Sequence, residues 1–129
     1  MSTIEWLGSW FTAFVLTQVV EMGVYIFAPG PARPTRERVA IAFAASAITH
    51  PIVWFVITPF HLPLGELLGL HGQSAWWAIV AVAETFAFVV EAIWLMMFGY
   101  RPLVAFGTSL VANSLSFTIG LFCYEVLGW

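Results

Sequence analysis

A length of 129 residues ordinarily means one domain, yet 61% of this chain is hydrophobic, only 9% is charged, and the mean hydropathy is +0.94. A water-soluble domain carries about 25% charged residues, and a chain with twelve Phe and seven Trp holds too much apolar surface to remain disordered. The net charge of −3, with four Arg and neither Lys nor Asp, excludes the basic surface that nucleic-acid binding needs, so the bilayer is the remaining solvent.

Four stretches reach the roughly 20 apolar residues needed to cross the hydrocarbon core. They are Ile4 to Phe27, Val39 to Pro59, Ala75 to Phe98 and Leu103 to Leu127. Together they predict an all-α fold, a single integral membrane domain over residues 1–129 built as a bundle of four transmembrane helices. The first stretch has no basic region before it and no small-residue cleavage site after it, so it reads as a retained helix rather than a signal peptide. Lone Cys123 reads as a small buried hydrophobe.

The first connection, Ala28 to Arg38, contains Pro29, Gly30, Pro31 and Pro34, which end one helix and delay the next. Its Arg33, Arg36 and Arg38 fall on the same side as Arg101 in the short Gly99 to Pro102 turn, and the positive-inside rule makes that side cytoplasmic. Both termini are then external. Trp6, Trp10, Trp76, Trp77 and Trp129 gather near the outer interface, as an aromatic belt does. The segment His61 to Gln73, rich in Leu, reads as a short interfacial piece, with His61 and His71 solvated.

Two internal matches suggest a duplication of helical hairpins. Val19-Val20-Glu21 recurs as Val89-Val90-Glu91, and Ala42-Phe43, Ser46 and His50 recur as Ala105-Phe106, Ser109 and Asn113 with the same internal spacing. Such a parallel repeat has a pseudo-twofold axis along the membrane normal, and sites in membrane proteins often lie where repeats meet. The pairing sets Glu21 against Glu91 and His50 against Asn113.

An ionised carboxylate near the bilayer centre costs on the order of 3 kcal/mol even on a permissive scale. Glu21, Glu84 and Glu91 have no Arg or Lys within any span to neutralise them. They are expected to be protonated, paired with His50, hydrated or bound to a cation. Glu84 and Glu91 are two helical turns apart on one face, at about 10 Å. Ser109, Asn113, Ser116 and Gly120 form a stripe on the fourth span, Ser46, His50 and Trp54 on the second, and Thr17, Glu21 and Tyr25 on the first. Counted from the cytoplasmic ends, Glu21 and Glu91 lie at about 9 to 11 Å, His50 and Asn113 at about 15 to 17 Å, and Glu84 and Ser116 at about 20 Å. Tyr25 and Trp54 read as packing, and so do Ser46, Ser109, Thr17 and Gly120 taken singly.

Thr49-His50-Pro51 with Trp54, the pair Glu84 and Glu91, and Ala112-Asn113 with Ser116, Phe117 and Gly120 resemble an uncharacterised family of small bacterial four-helix integral membrane proteins. The resemblance covers most of the chain, implies a multi-pass protein of the bacterial inner membrane, and carries no activity. Members tend to have Asn where His50 stands.

Three functions compete. The first is transport or conduction of protons or cations by an oligomer, through Glu21, Glu84, Glu91, His50, Asn113 and Ser116. The second is an intramembrane site for a divalent metal ion, with Glu84, Glu91 and His50 as ligands suited to Mn, Fe or Zn. The third is an accessory or assembly subunit of a larger membrane complex. No catalytic set is assigned. Beyond membrane lipids, the expected partners are further copies of this chain or the subunits of such a complex, and not nucleic acid.

Overall fold

The computed structural model describes residues 2 to 127, so Trp129 lies outside the described residues. Helix α1 (Thr3–Phe27) opens on a capping box: the Glu5 N–H donates to Ser2 Oγ at 3.3 Å and the Ser2 N–H to the Glu5 carboxylate at 2.6 Å. It stops at Ala28, where Pro29 and Pro31 cannot continue the ladder. Helix α2 (Thr35–Ile52) begins ahead of the apolar run, because Pro34 presets the backbone at the helix start and lacks only a donor that would go unpaired there.

Pro51 lies in the last turn of α2 and does not end the helical run. After it come one π-helical turn (Val53–Ile57), one 3-10 turn (Thr58–Phe60) and helix α3 (His61–Leu68) in unbroken succession. A proline removes the donor owed to an earlier carbonyl, and the wider π turn absorbs the shift. The Thr58 hydroxyl and N–H both close on the Val53 carbonyl, the hydroxyl at 2.8 Å. The segment read as an interfacial piece therefore begins as a direct extension of α2. It ends at Gly69, whose φ of 66° closes α3 in the left-handed conformation. Helices α4 (Gln73–Met97) and α5 (Pro102–Leu127) follow, joined by a turn at Gly99 with φ 81°.

Among the described residues, four helical stretches are long and apolar enough to cross a membrane: Thr3–Phe27, Thr35–Leu68, Gln73–Met97 and Pro102–Val126. They pack as a ring in which α1 and α4 each touch both α2 and α5, leaving α1 with α4 and α2 with α5 as the diagonals. Ala42 and Ala45 on α2, Ala83, Ala87 and Ala92 on α4, and Ala105 and Ala112 on α5 are buried. Such small side chains let helix backbones approach where water exclusion gives no help between helices. The outer surface is apolar, with Val19, Phe27, Leu103 and Val126 among the exposed side chains.

The two loops that carry Arg meet at one end of the ring. Arg33 Nη2 donates to the Phe98 carbonyl at 3.0 Å and Arg38 Nη2 to the Ala28 carbonyl at 2.7 Å. These carbonyls cap α4 and α1, so each guanidinium sits on the negative end of a helix, where a cation is favoured. Gly30 lies so close under the buried Tyr100 ring that a Cβ there would come within 2.3 Å of it. Trp6, Trp76 and Trp77 lie at the opposite end, at the starts of α1 and α4.

The ring order suits the duplication, since exchanging the two hairpins exchanges α1 with α4 and α2 with α5 across the diagonals. The outer surface follows the same register. Shallow grooves open along Phe11, Thr12, Val15, Leu16 and Val19 on α1, and along Ala81, Val82, Thr85 and Phe86 on α4. Phe11, Thr12, Val15 and Leu16 correspond to Ala81, Val82, Thr85 and Phe86 in the register that matches Glu21 to Glu91.

Candidate intramembrane carboxyl site

Helices α1 and α4 each send one carboxyl into the centre of the ring. Glu21 is 2% exposed and Glu91 1%. Both belong to the buried face of their helix, with Gln18 and Tyr25 around Glu21 and with Ala83, Ala87 and Leu95 around Glu91. The two carboxyls share donors from the same two neighbouring helices, α2 and α5.

Glu21 accepts from the Ser46 hydroxyl of α2 at Oε2 and from the Ser116 hydroxyl of α5 at Oε1, the latter at 2.6 Å. Glu91 accepts from the Thr49 hydroxyl of α2 at Oε1, 2.6 Å, and from Asn113 Nδ2 of α5 at Oε2, 2.7 Å. A third donor, the Tyr25 phenol, reaches Glu91 Oε2 from α1 across the diagonal. On α2 the donors sit one turn apart at Ser46 and Thr49, and on α5 at Asn113 and Ser116, so each of these helices serves both carboxyls. No Arg or Lys enters the network; every partner is a hydroxyl or an amide.

Asn113 Nδ2 also donates to the Ser109 carbonyl at 3.0 Å, which fixes the orientation of the amide because a carbonyl can only accept. Ser109 Oγ donates in turn to the Phe88 carbonyl of α4 at 2.8 Å. In the other half, Gln18 Nε2 donates to the Phe43 carbonyl of α2 at 3.3 Å.

Of the residues expected to form the site, Glu21, Glu91, Asn113 and Ser116 come together. Glu84 lies two turns from Glu91, is only half-buried, and joins neither hydroxyl set. His50 is turned toward α1. Its ring sits 5.5 Å from Phe14, 6.1 Å from Trp54 and 6.5 Å from Trp10, and its buried Nε2 has no hydrogen-bond partner among the described residues. Glu84, Glu91 and His50, expected as metal ligands, are not gathered as a ligand set. Among the described residues no three of His, Cys, Asp and Glu form a group able to hold a metal ion.

Three members of the network did not stand out in the sequence. Thr49 is hidden behind its neighbour His50, which looks costlier to bury, and Tyr25 and Ser46 look like packing. The available signal was the spacing of Ala42, Ala45, Ser46 and Thr49, a small-residue face one position away from the stripe through His50 and Trp54. Comparison with known protein families, with characterised proteins and with solved structures finds no match to this chain.

Proposed function

We propose that this protein conducts or exchanges protons across the membrane as an oligomer, with Glu21 and Glu91 as the proton-binding groups. The observation that carries this reading is a pair of carboxyls only 2% and 1% exposed whose partners are all uncharged. Intramembrane carboxyls are expensive, and where no cation neutralises them they mark proton or ion pathways. Helix packing alone is served by hydroxyls and amides, which this bundle already has in number.

We place the activity in an oligomer because the ring packs its centre with Ala, Tyr and the carboxyl network, and a single small bundle leaves little room for a water path. The shallow grooves at matching positions on α1 and α4, though lined by different side chains, are the outer faces on which this reading would place contact between copies. By the positive-inside rule this reading takes the Arg end as cytoplasmic and both termini as external.

The test is proton flux into vesicles reconstituted with the purified chain, driven by a potassium diffusion potential and read with an enclosed pH dye. Wild-type vesicles should acidify, and Glu21→Gln and Glu91→Gln, which keep shape but lose the titratable proton, should not. Equal flux in wild type and both variants removes the proton role and leaves the carboxyls as packing within an accessory subunit.

A further inference from the structure

We infer that Thr49 and Ser116 are two-position hydroxyl switches, each turning its hydrogen between a carboxyl and a backbone carbonyl as Glu91 and Glu21 gain or lose a proton. The inference deepens the proton reading above and rests on it only for its consequence in flux.

A hydroxyl has a single hydrogen to give. Thr49 Oγ1 nevertheless lies within reach of three acceptors: Glu91 Oε1 at 2.6 Å, the Ala45 carbonyl at 3.3 Å and the Ser46 carbonyl at 3.4 Å. Ser116 Oγ lies within reach of two, Glu21 Oε1 at 2.6 Å and the Asn113 carbonyl at 3.1 Å. When a carboxyl is ionised, the hydroxyl hydrogen points to its Oε1. When the carboxyl takes a proton on Oε1, that hydrogen is donated to the hydroxyl oxygen, and the hydroxyl turns its own hydrogen to the carbonyl about one helical turn back. Both states are fully hydrogen-bonded without moving a heavy atom, so neither carries the penalty of an unsatisfied buried group.

The opposite oxygens have no such freedom. Glu91 Oε2 receives Asn113 Nδ2, which can only donate, together with the Tyr25 phenol. Glu21 Oε2 receives Ser46 Oγ, which has no second acceptor, side chain or backbone, to turn its hydrogen to among the described residues. The proton therefore resides on Oε1 in both carboxyls, on the side of the switch. Protonation forms one O–H bond at Oε1 at the expense of a hydronium ion, which becomes water; deprotonation is the reverse, and no bond of Thr49 or Ser116 is broken.

Among the described residues no cationic side chain takes part at either carboxyl. The titratable groups near Glu91 are Tyr25 and Glu21 on α1 and Glu84 on α4 itself. Helices α2 and α5 present hydroxyls and an amide to it, while His50 of α2 faces the aromatic residues of α1.

Infrared spectroscopy of the full chain in lipid, titrated in pH, reads the C=O stretch of each protonated carboxyl, assigned by its disappearance in Glu21→Gln and Glu91→Gln. Thr49→Val keeps the shape of the side chain and removes the switch. It should move the Glu91 band to higher wavenumber, change the pH at which that band appears, and lower proton flux by about tenfold, the effect of one lost hydrogen bond to a charged group. Thr49→Ser should restore all three. Ser116→Ala and Ser116→Thr form the parallel pair for the Glu21 band, and carry the test should Thr49→Val fail to fold. A Glu91 band with unchanged frequency and titration in folded Thr49→Val, or a Glu21 band unchanged in Ser116→Ala, overturns the inference. If wild-type vesicles pass no protons but the bands respond as stated, the transport reading fails and the switches stand.

Discussion

The Tyr25 phenol on α1 donates to Glu91 Oε2 on α4, the one side-chain hydrogen bond of the network that crosses the ring from one diagonal helix to the other. Both groups are buried, Tyr25 being 1% exposed. Because α1 and α4 have few other direct contacts, this bond links that diagonal directly, while the hairpins are joined around it by the packing of α1 on α5 and of α2 on α4. Tyr25→Phe keeps the ring and removes only the donor. It is expected to lower stability by about 1 kcal/mol, within the range of hydrogen bonds between membrane helices. Thermal unfolding in detergent measures it, and an unchanged midpoint would show that the bond contributes nothing.

Glu91→Leu asks what the bundle needs from that position apart from a proton. Leucine leaves the Tyr25 phenol, the Thr49 hydroxyl and one hydrogen of Asn113 Nδ2 facing an apolar side chain. Thr49 can fall back on the Ala45 carbonyl and Tyr25 on the neighbouring Ser109 hydroxyl, at poorer geometry, while one hydrogen of Asn113 Nδ2 loses its acceptor. One or two stranded donors at about 1 to 3 kcal/mol each should cost most of the stability of a small bundle. Size-exclusion profiles are expected to be aggregated for Glu91→Leu and monodisperse for Glu91→Gln, whose carbonyl still accepts and whose amide can donate to Thr49. A monodisperse Glu91→Leu would mean that the network is dispensable for assembly.

The four helices were legible because membrane crossing imposes a length and a composition that nothing else in the sequence imitates. The carboxyl pair was legible for the same reason: a Glu deep in an apolar run has few tolerable positions, and the match between Val19-Val20-Glu21 and Val89-Val90-Glu91 placed both at one depth. The second span was misread by one residue's rotation. A reading that ranks residues by the cost of burying them selects His50 over Thr49, although 100° around the helix separates the ring centre from the face of α1. The continuation of the second span beyond Pro59 into α3 was also hidden, because Pro59 and the polar residues after it read as a stop, whereas the π turn that Thr58 closes on Val53 and the 3-10 turn after it carry the helix on.

That difference between neighbours gives a prediction of its own. His50 contacts Phe14, Trp54 and Trp10 and stands outside the carboxyl network, so His50→Phe should fold, and should keep the flux and the carboxyl infrared bands of the wild type. Its buried Nε2 has no partner to lose among the described residues. Loss of flux in a folded His50→Phe protein would return the imidazole to the proton path.

The Arg end depends on a close approach that a single methyl group tests. A Cβ at Gly30 would lie 2.3 Å from Tyr100 Cε1 and 2.6 Å from Cζ, and the ring is 4% exposed, so it has little room to retreat. Overpacking of this kind typically costs about 1 to 3 kcal/mol. Gly30→Ala is therefore expected to lower the unfolding midpoint and to loosen the Arg33 bond to the Phe98 carbonyl that the same loop contact holds in place. Tyr100→Leu shortens the obstructing side chain at its own cost, and in its background Gly30→Ala should be milder. A double-mutant cycle reads the difference as a coupling between the two positions, of the size found for residues in contact, roughly 0.5 to 3 kcal/mol. Additive effects, with no coupling, would mean that the first and last loops at this end do not touch through Gly30 and Tyr100.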